Sequence, residues 1–228
     1  LKKRNRQERE GQESLFVTVI KAQEDLDQWL AENTRAVEVM PEDNAFEVKA
    51  KAEAYQKVNE SAEYLKQMQI ANLWTAAFFW KVVEAKGNSI EIVAPTHGQI
   101  RRLRNGSQTQ GGLLKQVEKT RQSEGFFHWP LEFPEVASKG GFDSILGNPP
   151  WELLQLEEQE FFAARDPEIA VLQGELRKKA IIKLITINPS LAIDFEESKH
   201  LAEAQNKFLK FSGRFQLTAT GKLNTYAL

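Results

Sequence analysis

Apolar residues recur at three- and four-residue spacing over much of the chain. Leu15, Val17, Val19, Ile20, Ala22, Leu26, Trp29 and Leu30 form such a series, which predicts a helix over 4–33 with one stripe turned to a core. Pro41 breaks the pattern. A second helix is predicted over 44–66, with Phe46, Ala50, Ala54 and Val58 on one face. From Met68 to Val83 the residues are apolar almost all round, so a third helix there should be buried. Lys86-Gly87-Asn88-Ser89 reads as a turn and 90–93 as a short strand. Thr96 is placed to cap a helix carrying Ile100 and Leu103. The glycine and polar residues of 106–112 predict a loop, and 113–123 a further helix. Beyond, Pro167 opens a helix expected to reach 186, with Ala170, Leu172, Leu176 and Ala180 on its buried side. Asn188-Pro189 ends that pattern, and 191–211 predicts a last long helix finishing near Gly213.

One stretch stands apart from these helices: Phe142-Asp143-Ser144-Ile145-Leu146-Gly147-Asn148-Pro149-Pro150-Trp151. Its apolar pair at 145 and 146, bounded by Gly140-Gly141 and Gly147, predicts a brief buried strand over 142–147. Pro149 keeps Asn148 out of the helical region, and each proline offers a carbonyl without an N–H. The result is a turn rich in acceptors at a strand's carboxyl end, where open parallel sheets bind ligands. Trp151 adds a flat apolar face. A planar ring with an exocyclic amine suits such a turn, the amine donating to the Asn148 side-chain oxygen and the Pro149 carbonyl while the ring stacks on Trp151. Adenine is the candidate. The plainer reading makes Asn-Pro-Pro an ordinary turn and Trp151 a capping hydrophobe.

Asn148-Pro149-Pro150-Trp151 resembles the catalytic motif of the amino-group DNA methyltransferases that make N6-methyladenine from S-adenosylmethionine. The preceding Phe126-Phe127-His128-Trp129-Pro130-Leu131-Glu132-Phe133-Pro134-Glu135-Val136 and Gly141-Phe142-Asp143 are similar to the approach in large type II restriction-modification enzymes, those joining methylase to nuclease. Leu73-Trp74-Thr75-Ala76-Ala77-Phe78-Phe79-Trp80 and the segment from Gly221 to Leu228 resemble flanking blocks, so the likeness spans 66–228. It implies catalytic roles for Asn148, Pro149 and Trp151, with Pro150 joining them in binding the base. It also implies a helix-rich α/β fold, an incomplete piece of a class I S-adenosylmethionine-dependent methyltransferase with long helical insertions. Residues 1–125 would be a helical region and 126–228 the catalytic-motif segment, interrupted by a helical insertion at 152–213. That insertion is placed either to close over a flipped base or to serve as a scaffold. The partner implied is double-stranded DNA with a flipped adenine, alongside other domains of the same polypeptide.

The family holds its methyl donor in a Phe-x-Gly-x-Gly loop, and no such string occurs here. Most of the S-adenosylmethionine pocket is therefore expected outside this chain, whose first residue is not methionine and whose last, Leu228, falls where the family continues. The reading is of a segment of a longer protein, inactive by itself. Ser144 replaces a larger apolar residue of the family's strand.

Composition narrows the alternatives. With 41% hydrophobic residues in 228 there is enough for a core, and no apolar run approaches a membrane-spanning length. A cytoplasmic location is expected. No cysteine and three separated histidines give no metal site to expect. A net charge of −2 places most duplex contact elsewhere. Lys2, Lys3, Arg4, Arg6 and Arg9, and the trio Arg101, Arg102 and Arg104, read as solvated faces, with DNA phosphate as their alternative use. Phe78, Phe79 and Trp80 read as core, since no basic residue is interleaved to make a base-stacking surface. Glu47-Val48-Lys49, Glu84-Ala85-Lys86 and Glu197-Ser198-Lys199 spell part of a magnesium nuclease centre but lack its strand setting, so no nuclease is expected. His97 and His200 read as surface or helix-end residues, His128 as structural. The competing class of function is a helical interaction module without catalysis.

Overall fold

The computed structural model describes residues 16–81, 94–109, 111–148, 154–221, 223 and 225, with backbone alone for 16–25. Every regular element among them is a helix. The chain forms two compact units, one of residues 1–77 with 84–146, the other of 78–83 with 147–228.

In the first unit, α1 (Phe16–Glu38) runs five residues past the expected end. Leu30, Ala31, Thr34 and Val37 are all buried, so the helical stripe continues until the backbone restriction ahead of Pro41 stops it. Asn44 caps α2 (Ala45–Asn59), its side chain accepting from the N–H groups of Phe46 and Glu47. Nothing on α2 is fully buried, and Phe46 is 81% exposed. The boundary predicted near 67 lies instead at Glu60-Ser61. There the Ser61 hydroxyl accepts from the Tyr64 N–H and starts α3 (Ala62–Phe79), the service an N-cap oxygen gives a first turn. As anticipated, α3 is buried over much of its length, through Gln67, Ile70, Asn72, Leu73, Thr75 and Ala76.

Thr96 caps α4 (His97–Arg104) by accepting from the Gln99 N–H. Next come α5 (Gly111–Glu124), which takes in two glycines assigned to the preceding loop, and two single-turn helices, α6 (Trp129–Glu132) and α7 (Pro134–Ala137). A proline in the first turn of each explains them: its fixed φ suits the position and its missing N–H is not needed there. The predicted strand at 90–93 and the Lys86–Ser89 turn lie outside the described residues.

The predicted strand at 142–147 does not form. Residues 142–148 are irregular and exposed, Ile145 at 74% and Leu146 at 102%. A strand needs a neighbour to complete its ladder, and among the described residues there is no second strand. The α/β expectation is corrected accordingly, since every regular element among the described residues is a helix.

The second unit is built from α8 (Glu158–Ala163), α9 (Pro167–Val171), α10 (Gly174–Ile187) and α11 (Pro189–Phe211). The single helix expected over 167–186 is broken, because Leu172 and Gln173 are extended and Gly174 adopts φ +53°. The break resets the register: Leu176 becomes 65% exposed and Leu184 takes the buried place at 2%. Asn188 caps α11 by accepting from the Leu191 N–H, and Gly213, with φ +79°, follows its end. Phe161, Phe162 and Phe195 form the centre of this unit's core, their rings 5.0 to 5.3 Å apart. Phe78 and Phe79, both half-buried, pack on Phe208 at 5.5 and 6.3 Å.

Phe162 is fully buried, so Phe162→Ala is expected to destabilise the second unit by about 3–5 kcal/mol. Urea unfolding followed by circular dichroism measures it.

Candidate functional site

The approach to the Asn-Pro-Pro-Trp turn is held by polar contacts that begin on α3. His128 is 3% exposed, and its Nε2 lies 2.8 Å from the Asn72 Oδ1. With an amide oxygen opposite, that nitrogen carries the proton and donates. The His128 carbonyl in turn accepts from the N–H groups of Leu131 and Glu132, starting α6. Glu132 also lies near enough to the Tyr64 phenol of α3 for its charge to act on it. Burial, then the Glu132 charge, pushes the Tyr64 phenol from 10.0 to about 12.

An aromatic row follows. Trp129 stacks on Phe133 with centroids 5.6 Å apart and meets Phe127 and Phe142 edge-on at 5.1 and 5.7 Å. Phe133 and Phe142 meet at 5.4 Å. All four are partly exposed, Phe127 and Trp129 both at 52%. Their contacts fix the start of the extended stretch to the two short helices. Between them the chain turns at Gly140 and Gly141, whose φ values of +99° and +124° are open to glycine and strained for other residues.

On the other side of α6 and α7, against α1, lies a cleft of about 550 Å³ lined by Leu30, Ala31, Arg35, Leu131, Pro134 and Glu135 among others. Glu135 is 6% exposed, and its Oε2 has no hydrogen-bond partner.

Of the turn itself, the structure describes Asn148, exposed at the end of the extended stretch. Pro149, Pro150 and Trp151 lie outside the described residues. The basic residues of 1–10 also lie outside them, as does Glu84-Ala85-Lys86. Glu47-Val48-Lys49 and Glu197-Ser198-Lys199 sit on α2 and α11, and Glu197 pairs with Lys81 at 3.0 Å. Among the described residues no group of three or more His, Asp or Glu is arranged to hold a metal. No helix among them is long and apolar enough to cross a membrane. His200 Nε2 bonds the Phe79 carbonyl at 2.9 Å, a helix-end contact. Asn72, Tyr64 and Glu132 escaped the sequence reading. The signal for Asn72 was present, a lone amide inside an otherwise apolar helical run.

Residues 45–212, from the start of α2 to just past α11, match the Eco57I restriction-modification methylase family, and the chain belongs to it. The family implies DNA methylation within a restriction-modification system, and with it the use of S-adenosylmethionine. No curated protein and no solved structure matches the chain.

The Phe-x-Gly-x-Gly string that holds the donor in this family does not occur in the sequence.

Because the folded Tyr64 favours its neutral phenol, its contribution to stability is present below pH 10 and is lost as pH rises to about 12. Ultraviolet titration is expected to show one late phenol ionisation near pH 12 that Tyr64→Phe removes. An unchanged titration in that variant rules out Tyr64 as the late-ionising phenol.

Proposed function

We propose that this chain supplies the amine-binding turn of a site-specific DNA methyltransferase that modifies the N6 amine of adenine in a restriction-modification system. The observation that carries the proposal is Asn148-Pro149-Pro150-Trp151 inside a chain whose residues 45–212 match a methylase family. Residues 126–228 are the segment that bears the motif.

An adenine in duplex DNA is paired and stacked, so it must leave the helix before its amine is accessible. Unstacking costs a few kcal/mol, and stacking on an aromatic ring returns about 1–3 kcal/mol. Trp151 provides that ring. The amine is a poor nucleophile because its lone pair is delocalised into the base. Asn148 Oδ1 and the Pro149 carbonyl each accept one amine hydrogen, which favours a tetrahedral nitrogen and localises the pair. Two fixed dipoles thus meet the charge that develops at nitrogen without reorganising. Pro150 limits the backbone freedom that would let those acceptors drift. The donor, when bound, supplies an electrophilic methyl group on sulfonium sulfur.

In the assembled enzyme, Asn148→Ala is expected to slow single-turnover methylation by about a hundredfold or more, as when one preorganised polar group is deleted, with DNA binding little changed. Trp151→Ala is expected to weaken capture of the flipped base by about 1–3 kcal/mol, read from a fluorescent base analogue at the target, and Trp151→Phe to retain most activity. Parental rates in Asn148→Ala would leave the turn with a structural role only.

A further inference from the structure

We propose that α4, the loop after it and the start of α5 form a contact surface for the phosphate backbone of duplex DNA. The proposal deepens the reading of the chain as part of a DNA methyltransferase, and rests on it. Residues 92–117 contain Arg101, Arg102, Arg104 and Lys115 and neither Asp nor Glu. With 32 acidic residues in 228, chance spacing would place roughly three or four in a stretch of this length. The whole chain carries −2, so this stretch at +4 stands against a remainder at −6. The stretch is free of carboxylates in an otherwise acidic chain.

The fold holds the charges outward. Gln99, Ile100 and Leu103 are the buried residues of α4, while Arg102 and Arg104 are exposed and Arg101 is half-buried. None of the three arginines pairs with a carboxylate among the described residues. At Gly106, with φ +72°, the chain turns back, and the Ser107 N–H donates to the Arg102 carbonyl at 2.8 Å. That brings Ser107, Gln108 and Thr109 beside Lys66 and Gln69 of α3, around a cavity of about 330 Å³. The first turn of α5 has no acidic residue, so its positive dipole end is left uncompensated. Guanidinium groups, an ammonium, hydroxyls and amides share one feature, donation to anionic oxygen. The guanidinium fork in particular matches phosphate in a bidentate manner. Arginines in a last turn also offset the helix dipole, a role that would affect stability and leave the salt dependence of DNA binding untouched.

The test is fluorescence anisotropy of the 228-residue chain with a short DNA duplex between about 50 and 200 mM salt. Replacing the trio (R101Q, R102Q, R104Q) is expected to lower affinity at least tenfold at the low-salt end and to make the plot of log K against log salt shallower by about two to three. The matching lysine variant (R101K, R102K, R104K) should keep the slope, which separates lost charge from lost folding. Neutralising three exposed lysines of α10 (K178Q, K179Q, K183Q) should change the slope by less than about one. No binding by the parent chain at about 50 mM salt, an unchanged slope in the glutamine variant, or an equal effect from the α10 lysines overturns the proposal. Transfer of labelled methyl to DNA by the assembled enzyme is scored separately. Its absence alongside an arginine-dependent slope would remove the methyltransferase reading and leave the phosphate contact standing.

Discussion

A backbone amide taken out of water must find a hydrogen-bond partner, and the described residues of this chain find theirs within helices. The cost of doing otherwise decides the state of residues 142–148. Burying Ile145 and Leu146 would contribute about 1.5–3 kcal/mol each. Burying the same stretch without a neighbouring strand would leave several N–H and C=O groups unmatched, at about 1–3 kcal/mol apiece. Hydration wins, and the two side chains stay exposed at 74% and 102%. Residues 142–148 thus meet water where a sheet would otherwise meet them.

What does hold this stretch in place is set upstream. The bond from His128 to Asn72 joins residues 56 apart in sequence, and both side chains are buried. A buried pair of this kind has a small net worth, yet loss of either partner strands the other. Orientation therefore passes in sequence from α3 to His128, from there to the two proline-started turns, and through the aromatic row to Phe142. Glu132 of α6 also lies near Tyr64 of α3. His128 serves here by fixing the ring and the backbone carbonyl that begins α6.

The elements legible in the sequence were those with a local chemical cause. Thr96, Asn188-Pro189 and Gly213 mark the helix ends they were expected to mark, because a side-chain oxygen, a missing N–H or a left-handed glycine acts within one turn. The break at Leu172–Gly174 carried a local signal in Gly174, which takes a left-handed φ of +53°, but the apolar spacing of 167–186 is that of a single helix and masked it. The short helices at 129–137 were readable from Pro130 and Pro134 but were hidden in a segment treated as an approach to the motif. The strand at 142–147 failed for a different reason, since a strand is a property of a pair of segments and the sequence of one names no partner. For the turn, Asn148 was legible by residue type and order, whereas its exposure depends on surroundings that residue order does not contain.

The aromatic row has a practical consequence. Phe127, Trp129, Phe133 and Phe142, with Ile145 and Leu146 just beyond, make a run of partly or fully exposed apolar side chains, next to a backbone stretch with unclaimed hydrogen-bonding groups. Exposed apolar patches are a route to self-association. Raising the concentration of the chain therefore favours contact between molecules through spans of this kind, of which 127–146 is one.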